Sequence, residues 1–115
     1  LLAIHMIGTC EAFAMAEKLG LDPQTFYDIA SVSSGQCWSM TSYCPVPGVG
    51  PKSPADNGYQ GGFAAGLMLK DLKLAMEAAA AVGAKVPLGD HARAIYEDLA
   101  RENATVDFSG SIRAL

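Results

Sequence analysis

Between Cys44 and Gly62 the chain carries four prolines and five glycines. Proline lacks a backbone N–H and glycine is conformationally permissive, so regular structure does not persist through such a stretch. No long helix or strand is therefore expected across it. A loop of this length inside a compact domain is uncommon and usually functional. On either side no run alternates apolar and polar residues long enough for a paired strand. An all-α domain of about five helices is expected.

The helices are marked by their ends. Residues 1–19 are apolar nearly all round, as in a helix buried on more than one side, and Gly20 supplies its stop. Asp22-Pro23 restarts a helix, with Asp22 as cap and Pro23 at the first helical position, where its missing N–H costs nothing. Leu21 and Phe26 stand at the positions of a hydrophobic staple. This helix should run to about Ser33, before Ser33-Ser34-Gly35 breaks it. Residues 37–43 can form a short helix carrying Trp38 and Tyr43. A long helix is predicted over about 63–82 with Gly83 as its stop, and another over about 88–102. Asp107 is a plausible cap for a last short one over 108–115.

A chain of 115 residues, half of them apolar and 17% charged, fits one globular domain. The net charge is −4, and no Lys/Arg cluster exceeds two residues. That argues against nucleic acid and against an anionic membrane surface as partners. No uninterrupted apolar run reaches the ~18 residues of a membrane span; the greasy opening is interrupted by His5, Thr9 and Glu11. Cys10, Cys37 and Cys44 lack metal-type spacing and read as reduced structural thiols. His5 and His91 have no ligand-type company, so no metal site is expected. The chain opens without Met, signal-peptide pattern or N-cap, on residues that read as helix interior. It is expected to be a piece of a longer protein, starting inside a helix.

The stretch Gly61–Ala75 is where function is sought. At about 100° per residue, Phe63, Leu67, Leu74 and Ala78 share a face, and Met68, Leu72, Ala75 and Met76 continue the apolar arc. Lys73 and Glu77 form an i,i+4 pair on the polar side. Lys70 lies at the edge of that polar strip, where a snorkelling surface lysine is its plain reading. Asp71 projects between Leu67, Ala75 and Ala78, inside the apolar arc. It is a buried structural carboxylate tying down a loop, a functional one, or simply an exposed one. Gly61-Gly62 just before the helix would let a ligand approach the backbone. Trp38 and Tyr43 are either core or the aromatic wall of a small-ligand pocket. No nucleophile–base constellation and no phosphate-cradling glycine motif is present, so the chain alone does not read as a complete enzyme.

Four motifs occur in order: Ser33-Ser34-Gly35-Gln36-Cys37-Trp38-Ser39, Tyr43-Cys44-Pro45-Val46-Pro47-Gly48-Val49, Asn57-Gly58-Tyr59-Gln60-Gly61-Gly62-Phe63, and Leu67-Met68-Leu69-Lys70-Asp71-Leu72-Lys73-Leu74-Ala75. Together they closely resemble the C-terminal domain of the β-hydroxyacid dehydrogenase family, in its hydroxyisobutyrate branch. The likeness covers essentially the whole chain. It implies a helical domain of the 6-phosphogluconate dehydrogenase-like type, spanning 1–115 and beginning inside the inter-domain helix. An N-terminal Rossmann domain binding NAD, not part of this chain, would precede it. The implied reaction is NAD-dependent oxidation of a primary hydroxyl β to a carboxylate, giving a semialdehyde, as in valine breakdown.

By the same resemblance, the general acid/base is a lysine at the start of the inter-domain helix, upstream of Leu1. Lys70 matches the lysine reaching the nicotinamide and the substrate, and Asp71 its supporting carboxylate. Phe63 matches the aromatic near the nicotinamide. Trp38 and Tyr43 match substrate-pocket walls. The partners implied are a small β-hydroxy acid and a second copy of the chain, in a homodimer or higher oligomer. The location implied is cytoplasmic, or the mitochondrial matrix in a eukaryote. Two alternatives stay open: a sibling enzyme acting on L-serine or tartronate semialdehyde, and a non-catalytic helical dimerisation module.

Overall fold

Residues 1–115 are all described by a computed structural model. Five α-helices occur in the order α1 (Leu2–Lys18), α2 (Pro23–Ala30), α3 (Trp38–Thr41), α4 (Ala65–Val82) and α5 (Pro87–Asn103). A 3₁₀ turn, Pro54–Asn57, interrupts the Gly/Pro loop, and a 3₁₀ helix, Phe108–Ala114, ends the chain. There is no strand; a single antiparallel bridge joins Ala64 to Asp107. The all-α expectation holds.

α1 is the element on which most others pack. Its buried residues Ala3, Met6, Thr9, Cys10, Phe13 and Ala16 form one stripe at the three-to-four spacing of a helix face. The helix touches α2, α3, α5 and the C-terminal 3₁₀ helix. It is nevertheless not covered all round: Met15 and Leu19 stand in solvent. A main core joins α1 to Met68 and Leu72 of α4, Ala92 and Tyr96 of α5, and Phe108. A smaller one sets Phe13 of α1 beside Met40, Cys44 and Val49. Phe26 of α2 meets Phe13 edge-on, ring centroids 4.8 Å apart.

The expected punctuation is present. Asp22 accepts the N–H of Thr25 at 2.9 Å, with Pro23 in the first turn. Gly83 takes the left-handed conformation after α4, and its N–H turns back to Ala79 and Ala80. α2 stops at Ala30, short of the expected Ser33. The Ser33 hydroxyl instead donates to the Ile29 carbonyl at 2.6 Å, a local bond that competes with helix continuation.

α4 starts at Ala65, two residues later than expected. Its N-terminus has no side-chain cap. The orphan N–H groups of a first helical turn need acceptors, and here two come from across the fold. Ala65 N–H donates to the Val106 carbonyl at 2.7 Å and Gly66 N–H to the Ala104 carbonyl at 2.9 Å. α4 then packs along α5 as a hairpin. Lys73 reaches across that hairpin to Glu97 at 3.8 Å, not down its own helix to Glu77.

Candidate functional site

The site is built where the segment entering α4 meets α3 and the C-terminal 3₁₀ helix. Asp107 caps that last helix, as expected, and does more. Its side chain is fully buried. Oδ2 accepts the Ser109 N–H at 3.0 Å and the Ser109 hydroxyl. Oδ1 accepts the Tyr43 hydroxyl at 2.7 Å and the Phe63 N–H at 2.8 Å. The backbone reinforces this, with Phe108 N–H donating to the Phe63 carbonyl at 2.8 Å and Asp107 N–H to the Tyr59 carbonyl at 2.9 Å. Burial, and then the hydrogen bond to Asp107, push the Tyr43 phenol well above its ordinary value. It stays a neutral donor.

Three of the five residues singled out from sequence are drawn together by these contacts. Trp38 stacks on Tyr43 with centroids 5.0 Å apart and planes 22° from parallel. Tyr43 meets Phe108 at 5.3 Å, and Phe108 meets Phe63 at 5.8 Å. An aromatic wall thus runs Trp38–Tyr43–Phe108–Phe63. Trp38, 49% exposed, is its open end. Neither Phe108 nor the reach of Asp107 was visible in the sequence beyond a cap signal, because both act on residues more than forty positions away.

Lys70 lies at the polar edge of α4, as its helix position predicts. Its ammonium is 3.7 Å from Asp71, and the two side chains are 63% and 56% exposed. Such a surface pair is worth at most about 1 kcal/mol, so neither charge is locked away. The expected burial of Asp71 is not found. Only Ala65, Met68 and Leu72 of α4 are buried, because the helix packs on one side only. Much of its apolar arc, Leu67, Leu74 and Ala75 included, is exposed. Asp71 instead lines an open pocket of about 310 Å³ with Phe63, Met68, Leu72, Ala75 and the start of α1. It is the one charged residue there.

A second expectation changes at Gly62. Its backbone is left-handed, φ +70°, and a Cβ there would lie 2.3 Å from both Asp107 Oδ1 and the Tyr43 hydroxyl oxygen. The close approach that this glycine allows is by the protein's own network, not by a ligand. No group of three or more His, Cys, Asp or Glu is placed to hold a metal ion. No helix is long and apolar enough to cross a membrane.

The family model for NAD-binding of NADP-dependent 3-hydroxyisobutyrate dehydrogenase matches residues 1–115. The chain belongs to that family. That family is described as one that binds a nicotinamide dinucleotide. Among relatives, a probable 3-hydroxyisobutyrate dehydrogenase of Mycobacterium tuberculosis is 49% identical over 114 residues, 99% of this chain and 39% of the relative. The mitochondrial 3-hydroxyisobutyrate dehydrogenase of Homo sapiens is 46% identical over 116 residues, all of this chain and 34% of the relative. A solved structure of the Mycobacterium tuberculosis 3-hydroxyisobutyrate dehydrogenase, described with L-serine, superposes with a TM-score of 0.95 at 49% identity. It covers 98% of this chain and 39% of that one. The Salmonella typhimurium structure of that description, at 21% identity and a TM-score of 0.79 over 98% of this chain and 38% of that one, shares the fold. The chain thus spans well under half the length of these relatives.

Proposed function

We propose that this chain is the helical substrate-side domain of a nicotinamide-dependent 3-hydroxyisobutyrate dehydrogenase, acting on a primary hydroxyl β to a carboxylate in valine breakdown. The observation that carries the reading is the superposition of 98% of this chain, at 49% identity, on part of a dehydrogenase of that name. The residues present fit one end of the cofactor. Phe63 is half-buried in a mainly apolar pocket, a surface suited to a flat nicotinamide-sized ring. Bound there, the cofactor would accept the hydride.

The chain's own residues bind and shield. The Lys70 ammonium, exposed on α4, supplies positive charge for the substrate carboxylate and the cofactor end. Asp71, 3.7 Å away, orients it. Trp38 and Tyr43 offer ring faces, which exclude water. The Tyr43 hydroxyl takes no part in proton transfer, since it is committed to Asp107 and held neutral. By family resemblance, the proton acceptor lies outside this chain. An apolar groove of Leu1, Ile4, Leu72, Met76, Val86 and Leu88 is the surface this reading leaves for a second copy.

L-serine is the second reading, favoured by its appearance with the mycobacterial relative; it too carries a hydroxyl β to a carboxylate. Assaying the full-length enzyme on both acids separates them. Lys70→Ala in that enzyme should lower kcat/KM by about 10²-fold, the loss typical of one positioned electrostatic donor. Lys73→Ala, which removes only the Glu97 pair, should leave it near normal. A near-normal Lys70→Ala enzyme removes Lys70 from the site.

A further inference from the structure

We infer that Asp107 is the positioning residue of this site, and that its Oδ1 holds the two halves of the aromatic wall in register. The inference rests on the site reading above and deepens it. Tyr43 and Phe63 lie 64 and 44 residues before Asp107, yet both donate to the same oxygen, at 2.7 and 2.8 Å. One half, Trp38 stacked on Tyr43, spans α3 from its first residue to just past its end. The other, Phe63, leads into α4. Phe63's peptide is clamped on both sides, its N–H by Oδ1 and its carbonyl by the Phe108 N–H at 2.8 Å.

An ordinary helix cap does not need this arrangement. Capping Ser109 occupies Oδ2 alone, and a neutral serine or asparagine does as much at a helix start. Asp107 is instead a carboxylate with no exposure and no cationic partner. A buried unpaired charge is costly unless donors converge on it. Four do so here, and two of them belong to the two halves of the wall. Gly62 completes the unit, because any Cβ there would occupy the space of the Tyr43–Asp107 bond. The consequence is chemical as well as geometric. With its hydroxyl turned inward to Oδ1, Tyr43 presents its ring, not its oxygen, to Trp38 and to whatever the wall contacts.

The test uses the full-length enzyme with 5-fluorotryptophan incorporated, the Trp38 fluorine resonance being assigned by its loss in Trp38→Phe. Tyr43→Phe deletes only the hydroxyl. It should raise KM for 3-hydroxyisobutyrate about tenfold, the worth of a hydrogen bond to a charged group, with kcat within about twofold. It should also shift the Trp38 resonance. Asp107→Asn should shift the same resonance, and the double variant should add nothing beyond the larger single effect. A merely structural Asp107 would lower Tm in both variants while leaving KM and the Trp38 signal unchanged, and that result overturns the inference. If Asp107→Asn does not fold, the Tyr43→Phe measurements alone decide. A wild-type enzyme inactive on both 3-hydroxyisobutyrate and L-serine would sink the functional reading, while the fluorine signal would still decide the coupling.

Discussion

At Gly62 and Gly61 two neighbouring residues share a left-handed backbone, φ +70° and +79°, but not an environment. A Cβ on Gly61 meets nothing within 4 Å, whereas one on Gly62 runs into Asp107, Tyr43 and Pro54. Gly61→Ala should therefore cost only the left-handed penalty, roughly 1–2 kcal/mol. Gly62→Ala adds overpacking of roughly 1–3 kcal/mol and displaces the Tyr43–Asp107 bond. Denaturant unfolding of the two variants checks this, and equal losses would mean the network does not occupy that space. The sequence marks both glycines as points of close approach. It does not say what approaches, since the partner, Asp107, arrives from the far end of the chain. Asp71 shows the converse. It sits inside the apolar arc of α4, but an apolar arc is not a buried arc when only one side of the helix has a neighbour.

Among the elements, the boundaries set by local chemistry were legible: Asp22-Pro23 opens α2, Gly83 closes α4, and Asp107 caps the last helix. The start of α4 was not, because its acceptors are the carbonyls of Ala104 and Val106 and leave no mark near Phe63. The Gly/Pro loop hides a similar device on a shorter span. Ser53 and Asp56 cap the Pro54–Asn57 turn reciprocally. Asp56 also accepts the Gly48 N–H at 2.6 Å and the Ser53 N–H at 2.9 Å. These bonds hold its carboxyl below the usual value of 3.8. A depressed carboxylate pKa contributes order that is present above that value and lost as pH falls below it. Asp56→Ala should accelerate amide exchange at Gly48 and Ser53 by about tenfold near neutrality. Wild type should approach the same rates, after correction for intrinsic exchange, only below pH 3.8. Unchanged protection in the variant would show that the prolines alone order the loop.

Taken whole, the molecule places its protonated acids inward. α1 contributes Cys10, the Gly/Pro loop Cys44 and Tyr59, α5 Tyr96, and the site Tyr43. Burial is the leading cause that raises the pKa of all five. Cys10, buried beside Ser111, is pushed up from 9.0 to about 12. For each group the unfolded chain releases its proton at a lower pH than the folded one. Above pH 9 the folded state therefore binds more protons than the unfolded state, and stability falls as pH rises. The contribution of Cys10 is intact below 9 and is gone once pH passes about 12. Within that window one thiol contributes a slope of about 1.4 kcal/mol per pH unit. Cys10→Ala should thus be less stable than wild type near neutrality, from a small cavity in the core around α1, yet lose stability less steeply above pH 9. The gap between the two should narrow as the solution becomes alkaline. Unfolding free energies measured between pH 7 and pH 11 would read the slopes directly. Parallel curves would mean that Cys10 ionises as readily in the folded protein as in the unfolded chain, and that the packing of the C-terminal 3₁₀ helix against α1 is looser than described.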